Sequence, residues 1–174
     1  IDIRRVGSGN IGATNVLRIG GKKAAALTLM GDSFKGLIPM LAGHLLGAGP
    51  EVLAATGVAA FLGHLYPVFF GFRGGKGVAT ALGVQFGLWW PIGLTVAAMW
   101  LFVAKVLRIS SLSALVSMAL APLVVWFFWP EPTLLGMQIL ISLLLFWRHR
   151  SNIANLISGK EGKIGRTDKD LPAA

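Results

Sequence analysis

Residues 77–107 read GVATALGVQFGLWWPIGLTVAAMWLFVAKVL, an apolar run that contains one charged residue, Lys105. As a single α-helix this run would extend about 46 Å, whereas the hydrocarbon core of a bilayer is about 30 Å thick. Pro91 is favoured in the first turn of a helix, and paired tryptophans favour a membrane interface. The WWP sequence at 89–91 therefore predicts a break between two short helices, 77–90 and 91–107.

The composition of the whole chain is typical of an integral membrane protein. Hydrophobic residues make up 55% of the 174 residues, charged residues make up 13%, and the mean hydropathy is +0.71. A chain of this composition is too apolar to be a soluble domain of this length. We predict an all-α fold, a polytopic helical bundle that forms one membrane domain over residues 1–174, with a polar cytoplasmic tail at 160–174. The six predicted spans are 24–47, 51–70, 77–90, 91–107, 111–129 and 133–147.

Positive charge is confined to one side of this six-span arrangement. That side holds every Lys and Arg except Lys35, and the loops on the opposite side hold none. The basic segments are 1–23, 71–76, 105–110 and 148–174. Basic loops stay in the cytoplasm, so this side is predicted to be cytoplasmic, and a single span over 77–107 would destroy the pattern. Membrane flanks then explain the net charge of +9 better than nucleic-acid binding does.

The chain contains no cysteine and three histidines. The absence of thiols excludes a disulfide framework, thiol catalysis and thiolate metal ligands. The histidines are scattered and have no carboxylate close to them in the sequence, which disfavours a metal site. We expect neither a metal nor an organic cofactor.

A basic, glycine-rich segment, GFRGGKGVAT at 71–80, follows the second predicted span. Glycines leave backbone N–H groups unshielded, so Gly74, Gly75 and Gly77 with Lys76 predict a concave site for an anion such as phosphate. The alternative is a helix-entry loop whose lysine touches lipid headgroups. A nucleotide-binding P-loop does not fit, because the motif would need glycine at Phe70 and a hydroxyl at Gly77.

The segment GSGNIGATN at 7–15 also lies on the predicted cytoplasmic side, ahead of a helix expected to start near Ala24. It contains many short polar side chains, which favour turns. It is followed by an arginine, which can bind a phosphate through two hydrogen bonds. The candidate ligands here are Ser8, Asn10, Thr14, Asn15 and Arg18. We predict a second site for a phosphate or hydroxyl group, and the alternative is a plain capped turn.

The third polar segment, HRSNIANLISGKEGK at 149–163, follows the last span. On a continuing helix His149 and Asn152 share one face. The histidine could orient or deprotonate a hydroxyl near neutral pH and the asparagine could hold a substrate oxygen; the alternative is an interfacial histidine in a basic flank. Glu161 is expected to pair with the cationic loops or to solvate the tail.

Two charged residues near the middle of the first predicted span, and two histidines, are the other polar candidates within the spans. Asp32 and Lys35 stand at i and i+3 and are expected to neutralise each other, because ionised groups in the hydrocarbon are paired or functional. His64 is expected to hydrogen-bond a neighbouring helix, and His44 to lie toward the other face.

In order along the chain, GSGNIGATN, DSFKG at 32–36, GHLYPVFFGFRGGKGVAT and HRSNIANLISGKEGK resemble the motifs of the bacterial membrane glycerol-3-phosphate acyltransferases that use acyl-phosphate as donor. The resemblance covers nearly the whole chain. It implies a multi-pass enzyme of the bacterial inner membrane with a cytoplasmic active site. It also implies a further transmembrane helix before GSGN, so that this chain would hold six of seven spans. Asn155 departs from the family pattern, in which arginine is common.

The resemblance further implies transfer of a fatty acyl group from acyl-phosphate to the sn-1 hydroxyl of glycerol 3-phosphate. The products would be lysophosphatidic acid and phosphate, in the first step of phospholipid synthesis, and a partner could be the soluble enzyme that makes acyl-phosphate. Carried over residue by residue, Ser8, Arg18 and Lys76 would hold phosphates while His149 and Asn152 position the glycerol. Either His149 or the donor phosphate would remove the proton. The alternative functions are a small transporter of phosphate or an organophosphate, and a structural membrane scaffold.

Overall fold

The computed structural model describes residues 2–164, and within that range the chain is all-helical. The part of the predicted polar tail beyond residue 164 lies outside the described residues. The helices are α1 (Ala13–Leu45), α2 (Pro50–Leu65), α3 (Val78–Leu88), α4 (Trp90–Leu107), α5 (Ser110–Phe128), α6 (Pro132–Arg148) and α7 (Arg150–Ile157).

The predicted break in the apolar run is confirmed, and it lies at Trp89. This residue has extended dihedrals, φ −162° and ψ 128°, between α3 and α4. Its N–H donates to the carbonyl of Gln85 at 3.1 Å, which closes α3, and its own carbonyl accepts from Ile92 at 3.0 Å, which starts α4. Pro91 lies in the first turn of α4, as predicted. At about 16 Å long, α3 covers only about half the thickness of a bilayer core.

Among residues 2–164, three segments are individually long and apolar enough to cross a membrane, namely Pro50–Phe70, Trp90–Leu107 and Ser110–Phe128. Val78–Leu88 and Pro132–Arg148 are apolar but shorter. The count of six spans stays a prediction.

The first helix was expected to start near Ala24, but α1 begins at Ala13 and consists of two helical parts joined by a kink at Gly21, the second of which starts close to the predicted residue. Gly20 is helical, and only Gly21 leaves the helix, with φ 77° and ψ −178°, so that α1 continues beyond it in a new direction. The first two turns of α1 therefore carry Thr14, Asn15 and Arg18, which were expected in a loop.

The second helix ends five residues earlier than the predicted span. Pro67 lacks an N–H and disfavours helical dihedrals at Tyr66, which has φ −130° and ψ 62°. Helix α2 therefore stops at Leu65, and a 3-10 turn at Val68–Phe70 leads into the glycine-rich segment.

Helices α1 and α3 approach each other through small residues. A Cβ on Gly36 would overlap the backbone of α3, and a Cβ on Gly83 would overlap the carbonyl of Ser33. The Thr80 hydroxyl donates to the carbonyl of Asp32 at 2.9 Å across this contact. Close backbone approach and interhelical hydrogen bonds are the usual forces between membrane helices, since lipid supplies no hydrophobic drive to associate. This contact fixes the N-terminus of α3 against the middle of α1.

Candidate active site

The three polar segments predicted to share one surface line a single cavity of about 990 Å³. Helices α1, α3, α4 and α5 supply its apolar wall. The polar lining includes Ser8, Asn10, Thr14, Asn15, Arg18, Asp32, His64, Lys76, Ser110, Ser111, His149, Asn152 and Glu161. The apolar lining includes Leu17, Ala25, Leu29, Leu82, Ala97, Trp100, Leu101 and Ala114. The cavity can therefore hold a charged group and a hydrocarbon chain together.

Lys76 belongs to a chain of hydrogen bonds that joins four parts of the protein. Its ammonium donates to Oδ1 of Asn152 in α7, and Nδ2 of Asn152 donates to Oε1 of Glu161 at 2.6 Å. The Ser111 hydroxyl at the start of α5 donates to the same carboxylate oxygen at 2.6 Å. Within the described residues Glu161 forms no ion pair and reaches Lys76 only through Asn152, so its pairing with the cationic loops stays a prediction.

Burial lowers the pKa of Lys76 below its usual 10.5, and the nearby charges of Arg148 and Arg18 lower it further, while Glu161 opposes them. An additional anion beside Lys76 would favour its charged form. The ammonium is therefore a group whose charge would be stabilised by a phosphate.

The glycines before and after Lys76 let the chain pack directly on α2. The N–H of Gly74 donates to the carbonyl of Leu65 at 3.1 Å, and a Cβ at this position would overlap the carbonyls of His64 and Leu65. Gly77 has φ 84°, and a Cβ there would overlap the ring of Phe61. The predicted concave anion site therefore offers one free N–H group fewer than expected, because the N–H of Gly74 is already bonded to Leu65.

Within residues 2–164, the N–H groups of Gly75, Lys76 and Gly77 form no hydrogen bond, and they lie at the N-terminus of α3. Such a terminus favours anions, through its free N–H groups and the helix dipole.

Arg148 at the end of α6 holds the same loop from the other side. Its Nη2 donates to the carbonyl of Gly74 at 3.0 Å and to the carbonyl of Gly75 at 3.1 Å. Sequence reasoning missed this residue, because an arginine that follows an apolar span is usually a membrane flank. The sequence carried no signal that its partners lie about 74 positions earlier in the chain.

His149 is buried, with 3% of its surface exposed, which disfavours the alternative of an interfacial histidine in a basic flank. The helix does not continue unbroken through His149, because this residue separates α6 from α7, with φ −95° and ψ 9°. Both His149 and Asn152 nevertheless line the cavity.

The protonation of His149 follows from its contacts. Nδ1 lies 2.9 Å from the carbonyl of Leu145, which only accepts, so Nδ1 carries the proton and Nε2 keeps its lone pair. Burial lowers the pKa of His149 to about 4, and the charges of Lys76 and Arg148 act in the same direction, while the Leu145 carbonyl and Glu161 oppose them. At neutral pH the ring is therefore a neutral hydrogen-bond acceptor.

In the first segment, Asn15 is 1% exposed and its amide is engaged by the backbone. Oδ1 accepts from the N–H of Ser8 at 2.9 Å, and Nδ2 donates to the carbonyls of Ile3 and Val6 at 3.3 and 3.1 Å. Asn15 therefore holds the N-terminal loop in place, and it does so from inside α1 rather than as a helix cap, since the N-cap is Gly12. A contact between Asn15 and substrate stays a prediction.

The side chains of the other candidate ligands in this segment form fewer hydrogen bonds within the protein. The Thr14 hydroxyl lies 3.0 Å from the Ser110 hydroxyl. Within the described part of the chain, the Ser8 hydroxyl and the Arg18 guanidinium form neither a hydrogen bond nor an ion pair. Both side chains belong to residues that line the cavity, so they can bind a ligand without breaking an existing contact.

The expected pair of Asp32 and Lys35 is confirmed, with Nζ 2.8 Å from Oδ1. His64 adds to it, since its Nδ1 lies 3.5 Å from the same carboxylate oxygen, as expected for a histidine that reaches a neighbouring helix. His44 contacts the carbonyl of Leu88, next to the break between α3 and α4. Among residues 2–164 no three His, Asp or Glu side chains group together as metal ligands would.

The sequence and the fold were compared with known proteins. The family model of glycerol-3-phosphate acyltransferase matches residues 1–159. The glycerol-3-phosphate acyltransferase of Hydrogenovibrio crunogenus is 55% identical over 94% of this chain and 78% of its own length. That of Methylococcus capsulatus is 53% identical over 94% and 83%.

Two solved structures share the fold. The crystal structure of PlsY (YgiH), an integral membrane glycerol 3-phosphate acyltransferase, in its glycerol 3-phosphate form has a TM-score of 0.91 and 44% identity, and the match covers 95% of this chain and 83% of that one. Its lysophosphatidic acid form has a TM-score of 0.86 and 43% identity, over 91% and 81%. The all-helical fold, the apolar segments and these matches agree, and the chain belongs to the glycerol-3-phosphate acyltransferase family of integral membrane enzymes.

Proposed function

We propose that this chain carries out the reaction of its family with acyl-phosphate as the donor, and that it acylates the sn-1 hydroxyl of glycerol 3-phosphate to give lysophosphatidic acid and phosphate. The observation that carries the proposal is the cavity in which Arg18, Lys76 and His149 meet an apolar wall of spanning helices. Both proposed substrates bear phosphate and one bears a hydrocarbon chain, so this lining fits the pair.

The proposed step forms one bond and breaks one. The glycerol oxygen attacks the carbonyl carbon of the acyl-phosphate, the bond from that carbon to the phosphate oxygen breaks, and inorganic phosphate leaves. Acyl-phosphate is an activated mixed anhydride, so the enzyme mainly has to align the reactants and neutralise charge. Ser8, Arg18 and Lys76 are the proposed phosphate ligands.

His149 and Asn152 are proposed to position the glycerol. The Nε2 lone pair of His149 can accept a hydrogen bond from the attacking hydroxyl. With its pKa lowered to about 4, His149 is a weak base, so the leaving phosphate of the donor is the preferred proton acceptor. His149 then orients the hydroxyl and the substrate completes the proton transfer.

Two other functions were open from the sequence. Membership of the family does not support the transporter alternative. A structural scaffold would leave the polar lining of the cavity without a role.

The proposal is tested by incubating the purified protein with labelled glycerol 3-phosphate and either acyl-phosphate or acyl-CoA, with and without EDTA. We expect lysophosphatidic acid from acyl-phosphate alone, because the thioester has no phosphate bonded to the reacting carbonyl, and we expect EDTA to have no effect. Fast turnover of acyl-CoA, or activity lost to EDTA and restored by a divalent ion, would overturn the assignment.

We further propose that the protein lies in the bacterial inner membrane with the cavity open to the cytoplasm. Since the chain has no cysteine, single cysteines at exposed residues report their side without background. Cysteines at Arg5, Arg73 and Ser151 should react with an impermeant thiol reagent only in inverted vesicles, and one at Glu51 only in right-side-out vesicles. A split among the first three positions would show that the order of spans is different.

A further inference from the structure

A second buried histidine lies directly beneath the loop that carries Lys76. His64 is in the last turn of α2 and is 6% exposed. Its Nδ1 faces the carboxylate of Asp32 at 3.5 Å. Asp32 is held in turn by Lys35 at 2.8 Å, and its backbone carbonyl accepts from Thr80 at 2.9 Å. The imidazole is thus oriented by a carboxylate that is fixed to both α1 and α3.

Gly75 rests on this imidazole. A Cβ at position 75 would overlap Nε2 of His64 and would lie 3.1 Å from Cε1. The φ of Gly75 lies outside the left-handed region, so the backbone conformation alone would accept alanine. The glycine is therefore required by the contact with the ring.

The loop that carries Gly74, Gly75 and Lys76 is held by both α6 and α2. Arg148 donates to the carbonyls of Gly74 and Gly75, while the ring of His64 supports Gly75 from α2. Lys76 follows immediately and reaches across the cavity to Asn152. The position of the His64 imidazole therefore determines the position of the Lys76 ammonium.

We infer that Asp32 and His64 are positioning residues for the reaction: the carboxylate orients the imidazole, and the imidazole sets the loop at Gly75 so that Lys76 meets the substrate phosphate. This inference rests on the proposed role of Lys76. A catalytic group displaced by about 1 Å can cost up to about 100-fold in rate. A side chain that acts through Lys76 can therefore control turnover even though it also lines the cavity.

The test is a double-mutant cycle in the full chain, in detergent or nanodiscs. His64→Ala removes the support and Gly75→Ala collides with it, so each alone should lower kcat/KM about 5- to 20-fold. In the double variant the methyl of residue 75 occupies space that the ring has left. The double variant should be at least about 3-fold faster than the slower single variant.

Two further readouts separate positioning from a general loss of structure. The substrate whose KM rises in Lys76→Ala should be the one whose KM rises in His64→Ala. Asp32→Asn, which keeps the volume and removes the charge, should shift the same KM by a smaller factor. His44→Ala, which removes a histidine contact at the opposite end of α1, should leave both KM values unchanged.

All variants are compared by size-exclusion profile and thermal unfolding. If His64→Ala does not fold, Gly75→Ala and Asp32→Asn still decide the matter: normal activity in both overturns the inference. A double variant as slow as its slower parent, in a folded protein, also overturns it and points to direct contact between His64 and substrate. Near-normal Lys76→Ala would overturn the proposed role of Lys76 together with this inference, whereas slow Lys76→Ala without recovery in the cycle overturns this inference alone.

Discussion

Replacing Lys76 with alanine should lower kcat/KM by about 10- to 150-fold. Loss of one charge-assisted hydrogen bond is worth about 1.5 to 3 kcal/mol when the contact is made in the transition state. The ammonium is half-buried and reaches into the cavity from the N-terminus of α3, where water can replace it only poorly. Steady-state rates with both substrates varied will show the loss.

The matched control is Lys105→Ala, which removes a lysine at the exposed end of α4 that does not line the cavity. This variant should keep near-normal rates, because surface charges contribute little. If Lys76→Ala were as active as Lys105→Ala, the assignment of Lys76 to a phosphate would be wrong.

Lys76→Arg adds a pH readout to the same prediction. Burial lowers the pKa of Lys76, so the lysine loses its charge at a lower pH than a free lysine does. As the pH is raised, wild-type activity should therefore fall before the pH reaches 10.5, because the ammonium of Lys76 becomes neutral. Arginine stays charged, so the residual activity of the variant should not show this loss.

Replacing His149 with alanine should lower kcat/KM roughly 10- to 100-fold, because the attacking hydroxyl loses its acceptor and the Leu145 carbonyl loses its donor. Glutamine can place an amide oxygen where Nε2 lies, while the shorter asparagine reaches only the level of Nδ1. We expect His149→Gln to retain clearly more activity than His149→Asn or His149→Ala. Equal loss in all three would show that His149 is the base.

The pH dependence of His149 has a defined sign. Its pKa is about 4 in the folded protein and near 6.5 in the unfolded chain, so the unfolded state binds the proton first as the pH falls. The contribution of His149 to stability is therefore complete above about pH 6.5 and is lost as the pH falls to about 4. Thermal unfolding of the wild type and of His149→Gln between about pH 6.5 and about pH 4 will isolate the contribution of His149. The wild type should lose more stability than the variant as the pH falls.

The local sequence was sufficient for much of the architecture. The run 77–107 is too long for one span and carries WWP where a helix can restart, and the break lies at Trp89. The pair of Asp32 and Lys35 was also predictable, because residues three apart on a helix share a face and buried charges need partners. The three polar segments were recognisable because spanning a membrane does not require such side chains.

Helix ends were less predictable. The sequence predicted a loop up to Ala24, yet α1 already begins at Ala13 and only Gly21 leaves the helix. The predicted second span ran past Pro67, because apolar residues continue on both sides of it. Hydropathy records the preference for lipid, whereas the end of a helix is set by backbone dihedrals and hydrogen bonds.

Only the tertiary structure determined what each polar residue does. Asn15 and Arg148 are as polar as Lys76, but Asn15 bonds the N-terminal loop, Arg148 bonds the carbonyls of the glycine loop, and Lys76 reaches into the cavity. His64 and Gly75 lie 11 positions apart in the sequence, and their contact exists because the chain turns back along α2. Composition and spacing thus determined that the chain forms a helical membrane protein, and they identified the three polar segments that meet in one cavity. The role of each polar side chain depends on partners distant in the sequence, and only the packing of the helices brings those partners within hydrogen-bonding distance.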